Sequence, residues 1–342
     1  MTPYYVVIFG TRPEATKLHR LCSLLNCRVW FTGQHEGLLR ETCDTPALQR
    51  FFTDCWRLHL DPLPDPLNYA ERVKWRVART LRSLPDKPTG VIVQGDTSSA
   101  YGAALGAQQA GIPIAHVEAG IRSGNLQDPW PEERFRVAID GMAYWHFAPT
   151  EHCKENLLAE GAPADQIFVT GNTGLDDMPG PQKAGHHVLI TLHRRETFPR
   201  LKALANQLDD LAREYPDITF LWPVHPNPHV QEAVKDLRHV QLRPPLGNRL
   251  FRDLLSRARF VITDSGGVQE EAADLGVPCL VARETTDRPE SVLQGIARVI
   301  GTNGIEPHIA AELDRPTLPR KPSDCFGDGQ ASTRIADILN NA

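Results

Sequence analysis

The chain lacks a cysteine pairing pattern. Its seven cysteines stand at 22, 27, 43, 55, 153, 279 and 325. The number is odd, no two have C-x-x-C spacing, and several lie in apolar settings such as Cys279 in PCLVA. Reduced thiols of a cytoplasmic protein are expected, not a disulfide frame or a zinc site. The 13 histidines include no H-E-x-x-H spacing, so no metal is expected. No apolar run reaches the roughly 18 to 20 residues of a membrane span, so no membrane partner is expected. The opening MTPYYVVIFG has neither the basic start nor the long apolar stretch of a signal peptide, and reads as a first β-strand. An excess of positive charge is also missing. The net charge of −5 argues against a general nucleic-acid binder, which needs a basic stripe. A small anionic ligand held by a few placed Arg and Lys side chains fits that charge.

What is present is globular: 342 residues, 41% hydrophobic and 23% charged, enough for two domains of ordinary size. Short apolar runs alternate with helix-length segments. YYVVIFG (4–10), RVWFTG (28–33), GVIVQG (90–95), IPIAHVEAG (112–120) and QIFVTGN (166–172) read as strands. TRPEATKLHRLCSLL reads as a helix, with Thr11 and Glu14 at capping-box spacing and Pro13 in the first turn. SSAYGAALGAQQAG and EHCKENLLAEG are helices that close on glycine. The polar, Pro- and Gly-rich stretch 176–187 breaks the rhythm, and the alternation restarts at HVLITLH. The fold class expected is α/β, with two doubly wound Rossmann-like domains facing each other across a cleft. Residues 1–175 form the first, 176–328 the second, and a helix over 329–342 crosses back to the first.

Ligands of such sheets bind outside the carboxyl ends of the strands, so the loops there carry the argument. In GTRPEATK (10–17), Arg12 and Lys17 flank a helix start, where cations are favoured only beside a bound anion. In QGDTSSA (94–100), Asp96 is placed to N-cap the next helix. HVEAGIRSG puts Glu118 at the end of a buried strand, where burial suits a carboxylate to proton transfer. DPWPEERFR supplies Glu132, Glu133, Arg134 and Arg136, with one glutamate of the pair expected at the surface. Several carboxylates near one substrate suit acid/base work. The second half offers His193 and Arg194 in ITLHRRE and His225 in PVHPNP. In TDSGGVQEEAADLG, Ser265-Gly266-Gly267 reads as a bare turn, with the amides of a helix from Val268 open to a phosphate. The spacing is neither G-x-G-x-x-G nor a P-loop. Glu270 reads as a surface charge favourable to the helix dipole.

GTRPEATK, GDT, HVEAG-I-R, PWPEE, VTGNT, HRRE, PVHPNP, TDSGGVQEEA and TTDRPE occur in one order across nearly the whole chain. In this the sequence resembles the UDP-N-acetylglucosamine 2-epimerases, non-hydrolysing and hydrolysing, with the non-hydrolysing type favoured. The resemblance implies the two-domain GT-B fold and a UDP-sugar substrate, and it favours a homodimer; no cofactor is expected. It implies that Ser265, Gly266 and Gly267 hold the pyrophosphate, Glu271 the ribose hydroxyls and Phe251 the uracil. Arg12, His193 and Arg194 would contact phosphate. Lys17, Asp96, Glu118, Glu132, Arg136 and Glu290 would surround the sugar, with Asp96, Glu118, Glu132, His193 and Lys17 the catalytic set. The implied reaction is C2 epimerisation through loss and re-addition of UDP. Two features depart from the family pattern. Phe135 stands where Asn is usual, which keeps a modified sugar open as substrate. GQHEGLL carries Glu36 and Gly37 in place of larger groups of an effector site, so rates without UDP-N-acetylglucosamine activation are expected. The alternatives are a hydrolysing relative releasing UDP and free N-acetylmannosamine, a GT-B glycosyltransferase, and a binding regulator that does not turn over.

Overall fold

The computed structural model describes residues 3–37, 39, 45–317 and 319–342. The chain divides into two compact units, Met1–Asp176 with Gly327–Ala342, and Asp177–Phe326. Of the seven cysteines, Cys43 lies outside the described residues; the other six are free thiols.

Unit one is built on strands β1 (Tyr5–Phe9), β2 (Cys27–Phe31), β3 (Trp56–Arg57), β4 (Gly90–Gln94), β5 (Ile114–Val117), β6 (Trp145–Ala148) and β7 (Ile167–Val169). They form one parallel sheet in the order β3-β2-β1-β4-β5-β6-β7. Its central strands are apolar at nearly every position because both faces are covered. Along β1, Val7 and Phe9 point to one face, and Val6 and Ile8 to the other. The first face packs Leu18 and Leu21 of α1 (Arg12–Leu24) together with Ile335 and Leu339 of the last helix, Ala331–Asn340. The second packs α3 (Pro66–Ser83) and α4 (Ser98–Ala110); between them comes α2 (Pro46–Thr53) in sequence. Helices α3 and α4 approach closely because α4 has no side chain at the contact. A Cβ on Gly102 would stand 2.4 Å from the Ala70 carbonyl oxygen. Two further helices, α5 (Glu132–Asp140) and α6 (Glu151–Ala159), complete the unit.

Unit two repeats the plan with β8 (His187–Thr191), β9 (Thr219–Pro223), β10 (Gln241–Arg243), β11 (Phe260–Thr263), β12 (Cys279–Val281) and β13 (Ala297–Val299). Its parallel sheet runs β10-β9-β8-β11-β12-β13. The helices are α7 (Phe198–Glu214), α8 (Pro228–Val234), α9 (Asn248–Arg257), α10 (Gly266–Leu275), α11 (Pro289–Leu293) and α12 (Glu306–Leu313). The closing helix, α13 (Ala331–Asn340), belongs to unit one. Tyr5 donates its hydroxyl to the Leu339 carbonyl at 2.7 Å, and Asp176 accepts the amides of Ala331 and Ser332 at 2.9 and 2.8 Å. Among the described residues no helix is long and apolar enough to cross a membrane.

Two parallel α/β sheets are what the alternating pattern implied. Two strands, β3 and β6, were not legible in it. The strand expected over 112–120 stops at Val117, and Glu118 turns the chain with φ 73°. In each sheet the order reverses between two neighbours, β1 and β4 in unit one and β8 and β11 in unit two. Such switch points open a crevice at the carboxyl ends of the strands.

Candidate functional site

In unit one, Gly10 follows β1. A Cβ there would meet Ser99 Oγ at 1.9 Å and Thr32 Oγ1 at 2.3 Å, so no larger residue fits. Thr11 caps α1 with Glu14 as its capping-box partner. Glu14 does more than cap. Fully buried, it accepts the amides of Gly10 (3.1 Å) and Thr11 (2.8 Å) and the hydroxyls of Thr11 (2.7 Å) and Thr97 (2.8 Å). It thereby ties the loop after β1 to the loop after β4. Burial pushes its carboxyl up to about 7 against these hydrogen bonds.

Six of the expected residues lie at this end of unit one. Lys17 Nζ stands 2.6 Å from Glu118 Oε2. Gln94, the last residue of β4, donates to the same oxygen. Glu118 is therefore not an isolated buried carboxylate but one partner of an ion pair. Asp96 accepts from Arg136 through both Nε, at 2.9 Å, and Nη2. It does not cap α4. Thr97 does, accepting the Ala100 amide at 3.0 Å, because Asp96 sits one residue too early to reach that turn. Glu132 opens α5 four residues before Arg136, on the same helix face. Arg12 occupies the first position of α1.

Neither glutamate of the PEE motif is a surface charge. Glu132 is half-buried, and Glu133 is buried, with its carboxylate on the amides of Ser123 (2.9 and 3.0 Å) and Gly124 (3.2 Å). The loop returning to α5 needs an acceptor for those amides, and Arg134 takes the solvent position instead. Phe135 is buried with its ring stacked on Tyr101, centroids 4.6 Å apart, so it seats α5 against α4. Glu36 of the GQHEGLL stretch pairs with Arg57 at 3.0 Å.

In unit two, His193 and Arg194 follow β8. Their amides both reach the buried carboxylate of Asp264, the residue directly after β11, at 2.9 Å. Asp264 thus sets the loop that presents the two side chains. The His193 ring stacks on that of His225, with centroids 5.2 Å apart.

The glycines of the SGG motif lie in the first turn of the helix, not in a turn before it. Helix α10 begins at Gly266, not Val268, and neither glycine needs a left-handed backbone. Their use is the missing Cβ. One on Gly266 would lie 3.2 Å from Arg288 Cζ, and one on Gly267 would point into open space. The Ser265 side chain makes no cap hydrogen bond, so nothing from it covers the first-turn amides. Arg288 is held over this helix start by Glu270, 2.5 Å from its Nε, and by Asp287 at 3.1 Å. Glu270 is therefore buried rather than a surface charge, since its side chain turns inward to the guanidinium. Glu271 faces the other way and pairs with Arg252 Nε at 2.9 Å. Arg252 follows Phe251, which packs half-buried on the sheet. Glu290 lies in the first turn of α11.

The sequence reading missed Asp264 and Arg288, and saw Glu14 only as a cap. Signals existed for each: an Asp directly after an apolar strand, and an Arg inside the TTDRPE motif. Among the described residues no group of three or more His, Cys, Asp or Glu side chains is placed to hold a metal. A cation over an uncapped helix start suits an anion. Paired carboxylates and cations at two adjacent strand ends suit proton transfer.

The family model described as UDP-N-acetylglucosamine 2-epimerase matches residues 75–340. A probable UDP-N-acetylglucosamine 2-epimerase of Ralstonia solanacearum is 36% identical, over 98% of both chains. The crystal structure of the Neisseria meningitidis UDP-GlcNAc 2-epimerase bound to UDP-GlcNAc is 32% identical, with TM-score 0.89 over 99% of this chain and 100% of that one. The Methanocaldococcus jannaschii enzyme, in complex with UDP-GlcNAc and UDP, is 29% identical, with TM-score 0.83 over 99% and 100%. With its family motifs on the loops after the strands of both sheets and this likeness along its whole length, the chain belongs to the UDP-N-acetylglucosamine 2-epimerase family.

Proposed function

We propose that the protein interconverts UDP-N-acetylglucosamine and UDP-N-acetylmannosamine by eliminating and re-adding UDP through a 2-acetamidoglucal intermediate. The observation that carries the reading is the pair of ion pairs Lys17–Glu118 and Asp96–Arg136, on the loops after adjacent strands β5 and β4. A base takes the C2 proton, and the C2–H electrons form the C1=C2 double bond. The C1–O bond breaks, and UDP leaves with its electron pair. Re-addition with protonation on the other face of C2 inverts that centre. C2–H is a weak acid, so expulsion of UDP must drive its removal. Cations and helix amides aimed at the pyrophosphate serve that end.

In this reading unit two holds the nucleotide. The Ser265 hydroxyl and the α10 amides at Gly266 and Gly267 take the pyrophosphate with Arg288, and Arg12, His193 and Arg194 add phosphate contacts. Glu271, oriented by Arg252, takes the ribose, and Phe251 the uracil. Lys17, Asp96, Glu118, Glu132, Arg136 and Glu290 meet the sugar. Phe135 is turned into the packing against Tyr101, so its departure from the motif does not by itself call for a modified sugar. The reading includes a homodimer working in the cytoplasm.

One proton NMR time course in D2O tests the chemistry. UDP-N-acetylmannosamine with deuterium at C2 is the expected product. Epimerised product that retains protium at C2 overturns proton abstraction. Free N-acetylmannosamine and UDP in its place identify the hydrolysing reaction.

A further inference from the structure

Glu118 is one of only two non-glycine residues with positive φ among the described residues, at 73°. A side chain rarely occupies that region unless its surroundings force it there. The Phe147 carbonyl accepts the Glu118 and Ala119 amides at 3.0 and 3.1 Å, and one carboxylate clasps the turn around them. Asp140 Oδ1 lies 2.5 Å from His116 Nδ1, two residues before Glu118. Asp140 Oδ2 accepts the Gly120 amide at 3.1 Å, two residues after, and Arg122 Nη2 at 2.7 Å, four residues after. The carboxylate grips the turn from both sides.

The grip extends to the other ion pair. His116 Nε2 lies 2.9 Å from the carbonyl oxygen of Gly95, the residue before Asp96. The Gly95 amide in turn donates to the Val117 carbonyl at 3.0 Å. Asp140 is also the last residue of α5, the helix that carries Glu132 and Arg136. One buried His–Asp pair therefore joins the three segments that bear Asp96, Glu118, Glu132 and Arg136.

The geometry also fixes the protons. The Gly95 carbonyl can only accept. Asp140 takes the Arg122 guanidinium and the Gly120 amide on its other oxygen, contacts that favour the ionised carboxylate, so it too is an acceptor. Both ring nitrogens of His116 face acceptors, and only the doubly protonated ring satisfies both. The groups around this ring are Asp140 and Arg122 from α5 and the turn, Glu160 from the end of α6, and His146 from β6. Glu160 binds Arg122 at 2.7 and 2.6 Å, and His146 Nε2 lies 2.9 Å from the Asp140 carbonyl oxygen. His116 is fully buried and Asp140 is 6% exposed, so both act through the backbone they hold.

We propose that His116, as an imidazolium, and Asp140 are positioning residues that set Asp96 and Glu118 for the reaction. This rests on the epimerase reading above. Two measurements test it. In protein labelled with 15N-histidine, two-bond proton–nitrogen correlation at pH 7 should show one ring with both nitrogens protonated. That ring is recognised by slowly exchanging N–H protons and by its absence from His116→Gln. A neutral-tautomer pattern for it overturns the proposal. In Asp140→Asn and His116→Gln, kcat should fall on the order of 10²-fold, the cost of misplacing reacting groups by about 1 Å, with UDP affinity within about twofold of wild type. A folded Asp140→Asn that keeps its kcat overturns the proposal and leaves the epimerase reading standing. A wild type that does not epimerise breaks that reading, and the ring signal still decides the state of His116. If neither variant folds, the slowly exchanging N–H protons of the fully buried ring identify it, and the same signal decides.

Discussion

Glu14 shows how much one residue can hide from sequence reasoning. Its spacing from Thr11 announces a capping box, and the cap is there. The spacing says nothing about burial, or about the Thr97 hydroxyl that arrives from a loop 83 residues away. Burial raises this carboxyl from 4.5 to about 7, so the folded state favours the neutral form. Its contribution to stability is then fully present below pH 4.5 and is lost as the pH rises through 7. Glu14→Gln cannot ionise and keeps one carbonyl acceptor. It should be less stable than wild type at pH 5, and the gap should close by on the order of 3 kcal/mol by pH 8. Urea unfolding at the two pH values measures this, and an unchanged gap refutes it. Glu270 and Phe135 teach the same lesson. Each looked anomalous or expendable in the sequence, and each has a partner from another element, Arg288 and Tyr101, that no local pattern names.

Helix α10 carries the clearest conflict between stability and binding. Both glycines of its first turn have ordinary helical geometry, where Gly is less stable than Ala by roughly 0.5–1 kcal/mol. At Gly267 a Cβ would touch nothing within 4 Å. Gly267→Ala should therefore raise the unfolding free energy by that amount. It should also weaken UDP, because the new methyl stands where the pyrophosphate is proposed to sit. Thermal unfolding and UDP titration together check the pair of effects; an unchanged UDP affinity would falsify the phosphate seat. Elements with strong local signals were legible: α1 from its cap and proline, α4 from its Gly111 stop in the left-handed region, and β1 and β4 from unbroken apolar runs. Strand β3 is two residues long, too short to leave a pattern. Strand β6 carries His146 among its four residues, and the polar ring masks an interior strand. Its place is fixed by pairing with β5 and β7, which are distant in sequence.

For the whole molecule, the chain's path matters as much as its elements. Unit one is discontinuous: its sheet is covered by α13, which follows all of unit two in sequence. At this scale the proposal of a homodimer is read directly by sedimentation. The chain mass is 38.1 kDa, and a single species at about twice that mass is expected. A species at the chain mass refutes it. The sequence by itself determined the fold class, since apolar runs and helical periods report local burial. It also determined the family motifs, because polar groups at strand ends stand out against those runs. The tertiary structure alone decided which charges meet. Lys17 finds Glu118 across 101 positions, Arg136 finds Asp96 across 40, and His116 finds both Asp140 and Gly95. The reason is physical. An ion pair or a shared hydrogen bond depends on distance in space, and a parallel sheet brings together strand ends that the sequence keeps far apart.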